Sequence, residues 1–227
     1  MASSVVLFVK KPQAGKVKTR LQSHCSAEQA AQLYRAFLLD SAETLAASTA
    51  DKKIIAYAPA DAENALRELL SPCGNFEYIA QPSGDLGKRL RELVQRVFAD
   101  GADKVVVLGS DSPSMPVEYI DRALALLEQV DVVLGPSTDG GYYLLGQRRG
   151  ENRLFCGIQW STGVVLEETL DRLDGQSLAL LPPWYDVDTP QEAAFLRTHL
   201  SAMRRVGLTV GHHSSAALET MQLPPPS

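Results

Sequence analysis

Lys104-Val105-Val106-Val107-Leu108-Gly109-Ser110-Asp111-Ser112-Pro113-Ser114-Met115-Pro116 is the stretch from which the fold can be read. Val105 to Leu108 has no polar face, as suits a strand of a parallel sheet covered by helices on both sides. The run stops at Gly109 and delivers a carboxylate, Asp111, into a turn rich in Ser and Pro. An ionised carboxylate at the mouth of a buried strand is costly unless a charge or a hydrogen-bond donor meets it. A hard cation shared with phosphate is one such partner, since Mg²⁺ takes one or two carboxylates plus phosphate oxygens and water. A cap or turn role is the plainer alternative.

The same grammar continues in both directions. Short β-branched runs stand at Val5–Val9, Lys53–Ala58, Phe76–Ala80, Lys104–Gly109, Asp131–Gly135, Tyr142–Gly146 and Leu178–Leu181. Helical patterns alternate with them over Ala27–Ala47, Ala60–Leu70, Leu86–Asp100, Pro116–Gln129, Val164–Leu173 and Pro190–Met203. The alternation predicts one α/β domain over residues 1–210, with a Rossmann-like, mostly parallel sheet flanked by helices. Residues 211–227, weakly periodic and ending Leu223-Pro224-Pro225-Pro226-Ser227, are assigned to a disordered tail. His212-His213 invites a metal reading, but no third ligand stands nearby in sequence, so a solvated tail is preferred.

Composition sets further bounds. The chain has 227 residues, 45% hydrophobic and 22% charged, enough for a core. Its net charge of −5 speaks against nucleic-acid binding and requires that cations for any anionic ligand be concentrated locally. No apolar run approaches the ~18 residues of a membrane span. Val5–Val9 is too short for the core of a signal peptide. Cys25, Cys73 and Cys156 lack metal or disulfide spacing and read as unpaired thiols. A cytoplasmic protein without a nucleic-acid or membrane partner is expected.

Ligands of open α/β sheets gather at the carboxyl ends of the strands. After the first strand, Lys10 to Arg20 holds five cations, with Pro12 and Gly15 forcing a loop. Lys11, Lys18 and Arg20, with the backbone at Gly15, are candidates for wrapping a diphosphate; a solvated basic turn is the alternative. It is not a Walker A loop, since Val17 follows Lys16. After the third strand, Asp85 and Gly87 open a helix, either as a cap or as contacts to a nucleotide base. Asp139-Gly140-Gly141 fits a substrate-binding turn or a plain hairpin. Asp186 and Asp188, two apart, face one side if extended, as a paired metal clamp needs.

Six segments in order resemble the GT-A-like glycosyltransferase family of the type found near radical-SAM genes and associated with arsenosugar biosynthesis. They are FVKKPQAGKVKTRL (Phe8–Leu21), GDLGKRL (Gly84–Leu90), LGSDSPSMP (Leu108–Pro116), GPSTDGGYYLLG (Gly135–Gly146), WST (Trp160–Thr162) and DVDTP (Asp186–Pro190). The likeness runs from Val5 to about Leu200, and its one departure is Ala14, where members often carry proline. Three of the segments are more distantly similar to molybdenum-cofactor and phospholactate guanylyltransferases.

The resemblance implies a nucleotide-diphosphosugar transferase fold with Mg²⁺ or Mn²⁺ on Asp111 and Asp188. It does not fix the reaction, since the fold serves both transferase classes; the favoured one is glycosyl transfer from a nucleotide-sugar to a small-molecule acceptor, with Asp139 the general base by its place in the motif. Trp160, Gly140 and Gly141 would meet the acceptor, although core packing explains Trp160 equally well. The runner-up is nucleotidyl transfer from an NTP to a phosphorylated small molecule. A catalytically inert nucleotide-binding protein is the third reading, against which the retained carboxylates argue.

Overall fold

A computed structural model describes residues 1–148 and 153–225. Seven strands form one sheet: β1 (Ser3–Lys10), β2 (Lys52–Ala58), β3 (Glu77–Ala80), β4 (Lys104–Leu108), β5 (Val132–Pro136), β6 (Tyr142–Arg148) and β7 (Leu178–Leu180). Their order is β3-β2-β1-β4-β6-β5-β7. All neighbours pair in parallel except β6, which runs antiparallel to both β4 and β5. Seven helices accompany them: α1 (Ala27–Ala47), α2 (Glu63–Leu70), α3 (Leu86–Ala99), α4 (Val117–Leu126), α5 (Val165–Leu170), α6 (Pro190–Arg205) and α7 (His212–Glu219). The mixed α/β architecture is the one expected for a nucleotide-diphosphosugar transferase fold.

Alternation along the central strands sends successive side chains to opposite faces. Val5, Leu7 and Val9 of β1 pack with Val106 and Leu108 of β4 against α1 and α4. Val6, Val105 and Val107 face the other way, onto Leu90, Leu93, Val94 and Val97 of α3. Both faces are therefore covered, which explains why β4 carries no polar residue between Lys104 and Leu108. Ser26 starts α1 and Thr189 starts α6, each in a reciprocal capping box with Gln29 and Glu192.

The chain moves outward from β1 to β2 and β3, then returns to β4 on the other side of β1. That reversal opens a crevice between the carboxyl ends of β1 and β4. The loop after β1, the turn after β4, the β5–β6 turn and the segment before α6 all emerge at this edge. None of the described helices is long and apolar enough to cross a membrane.

The tail departs from the sequence expectation. Residues 212–219 form α7, with Ser214, Ser215 and Leu218 buried. Its first backbone N–H groups are met by Asp40 of α1, a partner more than 170 residues earlier: His213 N–H donates to Oδ1 at 3.0 Å and Ser214 N–H to Oδ2 at 2.8 Å. A helix whose orphan donors are satisfied by a distant carboxylate leaves no local capping signal. Pro226 and Ser227 of the expected tail lie outside the described residues.

Candidate functional site

Lys18 is the centre of the crevice. Its backbone is left-handed, with φ 47° and ψ 42°, a conformation costly for a residue with a side chain. This turns the side chain inward until only 4% of it is exposed. The ammonium lies 2.5 Å from Asp111 Oδ1, donates to Asp188 Oδ1 at 2.8 Å and to the Val187 carbonyl at 2.7 Å. Tyr34 and Phe37 of α1 wall it in, with ring centroids 5.8 and 5.4 Å away. Burial alone would lower the lysine pKa, but Asp111 and Asp188 outweigh it and the net shift is upward. Burial raises the Asp188 carboxyl, and Lys18 with Arg20 more than reverses that, so its pKa falls. The compensating charge that Asp111 needs thus comes from within the chain.

Asp111 and Asp188 form a wall between two chambers. One, of about 500 Å³, is cationic: Lys10, Lys16, Lys18, Arg20 and Arg89 line it. Gln81 is held there by donating to the Val9 and Ala56 carbonyls at 3.1 and 2.8 Å, and its Oε1 accepts from Arg89 at 2.9 Å. Arg20, by contrast with Lys18, is 71% exposed and 3.6 Å from Asp188 Oδ2. The other chamber, of about 540 Å³, is acidic and aromatic, with Asp139, Asp186, Tyr142, Phe155 and Trp160 in its lining. Burial first, then the Asp139 charge, pushes the Asp186 carboxyl up to about 6.

A polar chain braces the wall. His199 of α6 hydrogen-bonds Tyr185 at 2.8 Å, Tyr185 meets Ser114 at 2.8 Å, and the Trp184 indole donates to Ser114 at 3.3 Å. The Val187 N–H donates to the Asp111 carbonyl at 2.9 Å. The turn after β4 and the segment before α6 are in this way tied side chain to side chain and backbone to backbone.

The structure brings together Lys18, Arg20, Asp111 and Asp188 of the residues singled out in the sequence. Asp139, Gly141 and Trp160 line the acidic chamber, 28 or more positions from Asp111. Gly140, with φ 88°, lies beside it; a Cβ there would come 2.2 Å from the Gly163 carbonyl oxygen. The β5–β6 turn is also a hairpin, closed by Ser137 N–H to the Gly141 carbonyl at 3.0 Å. Trp160 packs edge-on against Tyr142, with ring centroids 6.3 Å apart.

Four residues stand elsewhere. Lys11 donates its N–H to the Ala58 carbonyl at 2.8 Å, Gly15 forms the exposed bend of the loop, and neither lines a chamber. Asp85 caps α3, accepting the Lys88 N–H at 2.8 Å. Gly87 is a packing position, because a Cβ would fall 2.3 Å from Trp160 Nε1. Asp186 and Asp188 both line the acidic chamber but have different partners: Asp186 accepts from the Ser137 hydroxyl at 3.2 Å, while Asp188 meets Lys18 and Arg20. Asp188 shares the Lys18 ammonium with Asp111.

Sequence reasoning missed Gln81, Arg89 and Ser161, which line the site. Arg89 lies within GDLGKRL (Gly84–Leu90), and its charge is the available signal. Ser161 borders both chambers with φ 65°, and nothing local in sequence announces that conformation.

Residues 39–162 match the family model described as an uncharacterized protein conserved in bacteria (DUF2064). Among curated proteins none matches the chain significantly. Among solved structures, one from Desulfovibrio desulfuricans G20, provisionally described as a nucleotide-diphospho-sugar transferase, is 36% identical with a TM-score of 0.86. That alignment covers 96% of this chain and 95% of the other. A cytidylyltransferase from Leptospira borgpetersenii serovar Hardjo-bovis shares the fold at 13% identity and a TM-score of 0.59, covering 96% and 93% of the two chains. Rv0371c from Mycobacterium tuberculosis H37Rv, solved in complex with manganese, shares it at 17% identity and a TM-score of 0.50, over 82% and 91%.

Proposed function

The chain belongs to the DUF2064 family, and on that premise we propose that it is a metal-dependent transferase that moves a glycosyl group from a nucleotide-diphosphosugar to a small-molecule acceptor. The observation that carries the reading is Lys18 between Asp111 and Asp188, at the topological switch point, with a cationic chamber on one side and an acidic one on the other.

Asp111 and Asp188 fit a divalent cation, because one oxygen of each already converges on a single positive centre. Mg²⁺ or Mn²⁺ bound there would neutralise charge on the departing nucleotide diphosphate, as the manganese complex of Rv0371c encourages. An ion taking the place of the Lys18 ammonium between the carboxylates would free Lys18 to join Arg20 on the phosphates, with Lys10, Lys16 and Arg89 forming the rest of the cationic lining. Asp139 takes the proton from the attacking acceptor hydroxyl in the other chamber. The aromatic lining around Trp160 holds the acceptor by its apolar faces. The arsenosugar-type resemblance of the six motifs bears on the acceptor, and the acidic chamber suits a hydroxylated small molecule.

Nucleotidyl transfer is the second reading, supported by the fold shared with cytidylyltransferases. It needs the same cationic chamber but no general base, because a phosphate nucleophile is already ionised. A thermal-shift panel of NTPs and nucleotide-sugars, each with and without Mg²⁺ or Mn²⁺, separates the two. A ligand at 100 times its Kd adds about 2.7 kcal/mol. Metal-dependent stabilisation by nucleotide-sugars above NTPs supports glycosyl transfer, and the reverse ranking supports nucleotidyl transfer. Stabilisation by neither class overturns both.

A further inference from the structure

The seam between α1 and α7 unites four side chains that the sequence keeps about 170 residues apart. Asp40 and Glu43 stand three positions apart on α1 and so share a face. His212 and His213 open α7 directly after Gly211, whose φ of 70° turns the chain into the helix. The two imidazole centroids are 3.9 Å apart. His213 Nε2 lies 3.2 Å from Glu43 Oε1; His212 Nδ1 lies 3.4 Å from Glu43 Oε2 and 3.9 Å from Asp40 Oδ1. One donor atom from each of the four falls within 4.8 Å of every other.

The geometry points to a second metal centre here, a site for a zinc-class divalent ion held by Asp40, Glu43, His212 Nδ1 and His213 Nε2. Bonds of about 2.0–2.2 Å place tetrahedral ligands roughly 3.3–3.6 Å apart. His212 Nδ1 stands 3.4 Å from Glu43 Oε2 and 3.9 Å from Asp40 Oδ1, His213 Nε2 reaches the other Glu43 oxygen at 3.2 Å, and one atom of each residue lies within 4.8 Å of the others. Two imidazoles with two carboxylates suit Zn²⁺, Co²⁺ or Ni²⁺ and disfavour Mg²⁺. With both imidazoles neutral the group carries a formal charge of −2, which one divalent ion cancels.

The ligands are partly preorganised. Asp40 is buried and fixed by three donors from α7: the N–H groups of His213 and Ser214 and the Ser214 hydroxyl. A carboxylate offers about four lone-pair positions, so Oδ1 retains capacity on the side of His212. Burial pushes the Asp40 carboxyl upward, the cost that a neighbouring cation relieves. His212, 60% exposed, leaves an entry path. The site shares no residue with the cleft. Its ion would pin α7 onto α1, the helix whose Tyr34 and Phe37 wall in Lys18.

The test titrates zinc alone into the full chain by calorimetry, with saturating Mg²⁺ present to occupy hard oxygen sites. One zinc per chain is expected, and cobalt in its place should give visible d–d bands without a thiolate charge-transfer band. His212→Ala and Glu43→Gln, both on part-exposed side chains, should weaken zinc by more than the ~10-fold that even outer-shell changes cost. Zinc should also slow proteolytic removal of α7 in the parent and not in these variants. Zinc affinity unchanged in both variants, displacement by magnesium, or a thiolate band from cobalt would overturn the assignment.

Discussion

The two chambers on either side of Asp111 and Asp188 differ in nearly everything but size. The cationic side is built from one loop after β1 and one arginine of α3, and its positive charge lies in a chain of net charge −5. The acidic side draws on the β5–β6 turn, the segment around Trp160 and the strand before α6. Lysines line the first and not the second, Asp139 and Asp186 line the second and not the first, and Arg20 borders both. At the shared wall the protein keeps a buried ammonium between two carboxylates.

The largest expected effect breaks that wall. Lys18→Met removes the one cation that, among the described residues, touches both carboxylates. Breaking a buried pair costs about 3–5 kcal/mol, and because Asp111 and Asp188 are part-exposed and can hydrate we expect about 2–3 kcal/mol in metal-free unfolding. Manganese should then stabilise the variant more than the parent, since ammonium and metal ion compete for one place. Equal gains in both, measured by denaturation with and without Mn²⁺, would mean that they do not compete.

Next in size is the acidic chamber. Asp139→Asn should lower kcat by about 100-fold or more, the usual worth of a general base, while nucleotide affinity and melting temperature stay as they are. A fall in nucleotide affinity instead would move Asp139 to the other chamber's work. Arg20→Ala sharpens the contrast with its buried neighbour. Being mostly exposed, Arg20 should matter little to stability, under about 1 kcal/mol, and weaken nucleotide binding in a way that added salt erodes. Salt-independent loss would place it in a desolvated contact.

The smallest effect tests the brace behind the wall. Burial lowers the His199 pKa below its ordinary 6.5. The unfolded chain therefore takes up that proton first, and stability is lost as pH falls from about 6.5 toward the folded value. His199→Gln should flatten the drop in melting temperature between pH 7.5 and 5.5. An unchanged drop would assign it to other groups.

Much of this fold is legible because its cues are local. The apolar run before Asp111, the Ser26 and Thr189 capping boxes and the glycines around the β5–β6 turn each act within a few residues. The antiparallel course of β6 has a cue of the same kind, since the turn around Asp139-Gly140-Gly141 is too short for the crossover that a parallel pair needs. The carboxylates of the wall announced a need for positive charge, but Lys18 meets Asp188 across 170 positions, beyond any periodicity. The same distance hid α7, whose cap is Asp40. Asp85 is the opposite case: its capping role is local, and it is one of the two readings the sequence offers.

Gly87 has a consequence for experiment. By lacking a Cβ it lets the Trp160 indole settle against α3 at the lip of the acidic chamber. The second of the chain's two tryptophans, Trp184, sits among Tyr119, Tyr185 and His199 instead. Trp184→Phe therefore leaves a single fluorophore on the cleft. Entry of any ligand beside Trp160 would then change the emission of one tryptophan, readable in real time and without a label.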